Sequence, residues 1–170
     1  KVTAEQVWER LQEHEPFLQA ILSDPDDADG YAIYADWLLE CGDPLGTFTQ
    51  LQVAIDDPQL PLYQRARMEK EAKKLQAIHA RTWLGNLAKW LMDTSILAYP
   101  FRFHYGQLSA ISCRVLDLEF CSELRRSPHC RLLRELTVFD TQHVDQPLEI
   151  DGRRFDADRL YGFEPLLGAD

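Results

Sequence analysis

Nowhere does this sequence contain the roughly eighteen consecutive apolar residues of a membrane-spanning helix. No charged segment followed by an apolar run opens it in the manner of a leader, so no membrane partner is expected. Cysteine is scarce and unpaired. Cys41, Cys113, Cys121 and Cys130 form no C-x-x-C pair and match no common zinc spacing. Free thiols in a reducing cytoplasm are the expectation, with no disulfide framework and no metal. Basic charge is also short: 18 Lys and Arg against 28 Asp and Glu leave a formal net charge of -10. A surface of that sign repels phosphate backbones and disfavours direct nucleic-acid contact.

Catalytic signatures are missing as well. The chain has no GxSxG, HExxH, P-loop or GxGxxG pattern. His14, His79, His104, His129 and His143 are scattered without ligand spacing. His129-Cys130 is the one adjacent His/Cys pair, and a buried inert thiol explains Cys130 better than a nucleophile does. No catalytic residue and no cofactor are therefore assigned, and a non-enzymatic role is expected.

What the chain does have is apolar content. Hydrophobic residues make up 45% and aromatic residues 11%, enough for a packed interior and unlike a disordered composition. At 170 residues it fits one domain or two small subdomains sharing a core. The pattern changes near residue 95. Residues 1–94 read as a helical region and 95–170 as a short α/β region, an α+β chain overall.

The helical half is punctuated by caps. Thr3 to Gln6 reads as a capping box ahead of Val7 and Leu11. Pro16 is placed to start a second short helix carrying Phe17, Leu18, Ile21 and Leu22. The acidic turn "SDPDDADG" superficially resembles a calcium loop. Counted from Asp24, however, the fifth position is Ala28, the sixth Asp29 and the twelfth Ala35, so the register fails and the aspartates read as helix caps.

In "YADWLLECGDPLGTFTQLQ", Tyr31, Tyr34, Leu38 and Cys41 form one helical stripe, with Ile33 and Trp37 beside it. Gly42 supplies a left-handed stop, Asp43 a cap for the next helix and Pro44 its first residue. Leu45, Phe48, Leu51 and Ile55 carry the apolar face onward. This is a helical hairpin with a one-residue hinge. Asp36, flanked by aromatics, has no His, Cys or second carboxylate at helical spacing except Glu40, so it reads as an exposed or paired Asp and not as a general acid or base. A third helix runs from Pro61 to about Arg81, its basic residues interleaved with Glu at Arg65–Glu69, Arg67–Glu71 and Glu69–Lys73. Thr82 then caps a last helix with Trp83, Leu84, Leu87, Trp90 and Leu91.

The run "AILSDPDDADGYAIYADWLLECGDPLGTFTQLQ", followed by "HARTWLGNLAKW", resembles the bacterial repeat-companion domain. The matching features are the "DPDD" turn, "YADWL", "GDP", "LQ" and "WLG", over about residues 16–90. "GTF" departs from the charged residue that often precedes the family's aromatic. The resemblance implies a short helical module placed beside leucine-rich-type or other repeats. It carries no activity.

The second half fits such a neighbour. "FRFHYG" alternates like a strand, with Gly106 at a turn. "LSAISC" at 108–113 and "LRELTV" at 133–138 both fit L-x-x-L-x-L and stand 25 residues apart, within the roughly 20 to 29 of leucine-rich repeats. Leu116, Phe120 and Leu124 between them mark a covering helix. Asp-Gly in "EIDGRRF" signals a hairpin that would serve as a cap.

These features point to an adaptor that binds another protein, alone or within a larger complex. The alternative is an acidic immunity- or antitoxin-like protein that masks a basic toxin surface. The candidate partner-binding residues are Arg134, Glu135, Thr137 and Phe139, projecting from a strand whose Leu133, Leu136 and Val138 turn inward. Arg65, Lys70 and Lys73 on the basic helix form a second candidate face. Arg125, Arg126, Arg131 and Arg134 crowd one turn with Glu123 and Glu135 as mates, which favours pairing over an anion site.

Overall fold

The computed structural model describes residues 4–92, 101–113, 118–138, 148–150 and 153–155, without the side chains of 4–12, 113, 128, 138 and the last two segments. The described elements make an α+β protein, with helices first and strands later. Packing divides the chain into two units, Lys1–His79 with His104–Gly106, and Ala80–Phe103 with Gln107–Asp170. The change of pattern near residue 95 and the expected boundary at 94 fall outside the described residues, as does Thr3 of the capping box.

In the first unit, Ala4–Ser23 forms a single helix, α1, with Pro16 inside it. The second helix start expected at Pro16 does not occur. A proline in a helix interior removes one backbone bond and crowds the preceding turn. Contacts on both sides of Pro16 offset that cost. His14 Nδ1 lies 2.6 Å from the Tyr34 hydroxyl, and the Phe17 ring sits 5.1 Å from Trp37 and 5.7 Å from Tyr34.

Helix α2, Ala28–Glu40, begins as the acidic turn foretold, with the Asp27 carboxylate accepting from Asp29 N–H at 3.1 Å. Its inward stripe is Tyr31, Tyr34, Ala35 and Leu38, all buried. Cys41, expected on that stripe, is the C-cap and is exposed, because the helix ends there. Ile33, on the second stripe, is 61% exposed.

The hinge closes as expected. Gly42, at φ +72, donates to Leu39 O at 2.9 Å and Asp43 N–H donates to Leu38 O at 2.8 Å. Together these satisfy the last carbonyls of α2. The Asp43 side chain then accepts from Leu45 N–H at 2.8 Å, and Pro44 opens α3, Pro44–Ile55. The two helices cross with backbones almost touching. A Cβ on Gly46 would lie 2.7 Å from Ala35 O and 2.9 Å from Leu39 N.

Helix α4, Leu62–Leu84, follows and contributes to both units. In the first, Arg65 donates to Ile55 O and Asp57 O at the end of α3, and does not reach forward to Glu69. The turn His104–Gly106 completes this unit. Tyr105 and Gly106 have φ of +46 and +77, the conformation of a tight two-residue hairpin turn. Tyr105 donates to Asp56 Oδ2 and Gly106 N–H to Gln52 Oε1, each at 2.7 Å.

In the second unit, α4 runs through Thr82 instead of being capped by it. The break comes at Gly85, φ +53, which opens a 3-10 turn, Gly85–Leu87, and α5, Ala88–Leu91. Trp83, Leu84, Leu87 and Leu91 are buried as the periodicity required. The strands are β1, Phe101–His104, β2, Gln107–Cys113, and β3, Glu135–Val138, in the order β1-β2-β3. Between the last two lie α6, Leu118–Arg126, and a 3-10 turn, Pro128–Cys130. Phe120 and Leu124 of α6 are fully buried, while Leu116 lies outside the described residues.

Strands β2 and β3 are parallel, and their partners Ala110↔Glu135, Ile111↔Leu136, Ser112↔Thr137 and Cys113↔Val138 are each offset by 25 positions. That offset equals the spacing between the two L-x-x-L-x-L segments. The equivalent leucine positions are buried in both, with Leu108, Ile111 and Leu133 at 1% exposure and Leu136 at 6%. Finally β4, Leu148–Ile150, and β5, Arg153–Phe155, pair antiparallel with Ile150 opposite Arg153, the hairpin signalled by Asp-Gly.

Candidate functional site

Strand β2 is buried from Leu108 to Ser112. The ladder with β3 starts one residue early, since Arg134 N–H donates to Ser109 O at 2.8 Å. Arg134 and Glu135 are exposed and Thr137 half-buried, next to buried Leu133 and Leu136. Strand alternation puts Glu135 and Thr137 on one face. Arg134 belongs to the lead-in ahead of β3 and reaches solvent from there. Phe139 lies outside the described residues.

Glu135 already has a mate within the chain. Arg102 Nη2, on β1, lies 2.9 Å from Glu135 Oε1, with side-chain exposures of 55% and 48%. An exposed pair of this kind contributes about 1 kcal/mol at most, so a partner's charge can replace either member at small cost. Sequence reasoning missed Arg102. The alternation of "FRFH" carried the signal, because it sets Arg102 opposite in phase to Phe101 and Phe103.

The second candidate face is divided. Arg65 holds the end of α3, whereas Lys70 and Lys73 are exposed on α4. Asp36 is exposed and accepts from Gln50 Nε2 at 2.7 Å, a strut between α2 and α3. Cys130 is 2% exposed. Burial first, with the Glu123 charge adding to it, pushes its thiol up to about 12 against an opposing hydrogen bond from Ser127. A thiol so rarely ionised is a poor nucleophile. Arg125 and Arg126 are exposed at the end of α6 and Arg131 is half-buried.

Among the described residues no three His, Cys, Asp or Glu are placed to hold a metal ion, and no helix is long and apolar enough to cross a membrane. No family model, no curated protein and no solved structure matches this chain.

Proposed function

We propose that this chain is a non-enzymatic interaction module that binds a partner protein, alone or within a larger complex, through the exposed residues at β3, Arg134, Glu135 and Thr137, together with Phe139, which follows β3 in the sequence. The observation that carries the reading is the parallel register at a 25-residue offset, with buried leucines behind exposed Arg134 and Glu135. A ladder-bonded strand presents polar side chains from a backbone that need not be ordered on binding, which lowers the entropic cost of association. The likeness of residues 16–90 to the repeat-companion domain supports a helical module that accompanies repeats. The thiols of Cys41 and Cys130, in no disulfide, suit a reducing cytoplasm.

The net charge of -10 favours a second reading, an acidic protein that masks a basic toxin surface. One experiment separates the two. The tagged chain captures its partner from native cytoplasm, and association is then measured with purified components at rising salt. The strand-face reading expects Arg134→Glu with Phe139→Ala to retain the thermal midpoint and to lose about tenfold or more in affinity, with modest salt dependence. Wild-type affinity in that folded variant removes the strand face. An association rate that collapses with ionic strength supports the masking reading instead.

A further inference from the structure

Three residues of the β1–β2 hairpin, His104–Gly106, are held within the helical unit formed by residues 1–79. At the tip, Tyr105 is the one non-glycine residue with a left-handed backbone among the described residues, at φ +46, and Gly106 follows at +77. Asparagine or aspartate ordinarily precedes the glycine of such a turn. A tyrosine there strains the backbone, and contacts outside the turn have to offset the cost.

One face of α3 supplies them. Thr49, Gln52 and Asp56 stand at i, i+3 and i+7, on one side of the helix and its C-cap. Asp56 Oδ2 accepts from the Tyr105 hydroxyl and Gln52 Oε1 from Gly106 N–H, each at 2.7 Å. The Tyr105 ring stacks with His104 at 3.9 Å and meets Tyr31 edge-on at 5.0 Å. Tyr31 is itself pinned by its hydroxyl, which donates to Pro25 O at 3.0 Å. Thr49 is fully buried, and its hydroxyl has no hydrogen-bond partner among the described residues. It faces the Cα hydrogen of Gly106, where the Cβ of any other residue would overlap it.

Each contact reads a different feature of the turn. Asp56 selects a phenol hydroxyl, Gln52 a backbone N–H at the second position, and Thr49 the lack of a side chain there. We propose that this face of α3, with Tyr31, is a binding site for a tyrosine–glycine β-turn. In this chain its own hairpin tip fills the site, and the same turn from another hairpin occupies it when that tip withdraws. The strain at Tyr105 favours exchange, because a tip held against its own backbone preference loosens when a contact is lost. The site is distinct from the exposed residues at β3 and does not rest on the partner-binding reading.

The full chain carrying Tyr105→Asn and Gly106→Asn keeps residues that tolerate a left-handed turn. It loses the phenol and sets a Cβ against Thr49, so its own tip cannot fill the site. Binding of a fluorescent, end-cyclised peptide FRFHYGQLS, the sequence of residues 101–109, is followed by anisotropy. A dissociation constant below about 1 mM is expected, with binding to the unsubstituted chain about tenfold weaker or worse because its site is filled. In the peptide, Tyr105→Phe and Gly106→Ala should each weaken binding about tenfold, and so should Gln52→Ala in the chain. Tyr105→Asn alone, which relaxes the turn to Asn-Gly, replaces the double variant if that does not fold, with the same ranking of peptides expected. Thermal unfolding verifies each variant. A folded variant that fails to bind the peptide, or that binds all three peptides equally, overturns the proposal.

Discussion

Gly42 and Gly106 share a left-handed backbone, at φ +72 and +77, yet their surroundings differ. A Cβ on Gly42 meets nothing within 4 Å, whereas one on Gly106 would overlap Thr49 Oγ1. Gly42→Ala should therefore cost about 1 to 2 kcal/mol from backbone strain alone. Gly106→Ala should cost clearly more, since Thr49 is fully buried and has to move. Urea unfolding of the two variants measures the difference, and equal losses would mean that the turn does not press on Thr49. Cys130 supplies a pH signature. Its ordinary value is 9.0 and the fold holds it neutral up to about 12. The unfolded chain ionises first, so this share of stability is whole below the ordinary value and is lost as pH climbs through the raised one. Tyr34, raised by burial and then by the Asp43 charge, extends the loss further into the alkaline range. Denaturant midpoints should be level at neutral pH and fall in alkali, and Cys130→Ala should flatten the first part of that fall. A curve that wild type and variant share throughout would remove Cys130 from the account.

At the scale of elements, what the sequence made legible was local chemistry. Gly42, Asp43 and Pro44 each perform one backbone task, and all three tasks can be read from residue type. Asp43→Ala should cost about 1 kcal/mol through the lost cap, measured by thermal unfolding, without weakening partner capture. An unchanged melting curve with lost capture would turn the hinge into a binding site. The offset between the leucine segments was legible too, because a parallel register inherits the repeat length. Long-range choices were not legible. Helix α1 continues through Pro16 because His14 and Phe17 find Tyr34 and Trp37, and α4 continues through Thr82 because Trp83 and Leu84 are buried. Nor did any local pattern announce that Gly46 must lack a side chain. Gly46→Val should force α2 and α3 apart and cost about 2 kcal/mol or more, read from the urea midpoint. A loss below that of Gly42→Ala would contradict the close crossing.

For the whole molecule, the acidic sequence and the exposed residues around β3 make different demands. The net charge of -10 acts at long range and is screened by salt, while Arg134, Glu135 and Thr137 act by contact. The candidate site was half legible, since the leucine pattern located the strand and told inward residues from outward ones. The Arg102–Glu135 pair that spans the sheet was hidden, because no single-strand pattern reports what the neighbouring strands bring alongside. Binding at the strand face is read by hydrogen exchange of the chain, free and with its captured partner. Added protection is expected over residues 133–139 and none over 65–74 of α4. Protection confined to 65–74, or a complex that leaves 133–139 exchanging as in the free chain, would contradict it.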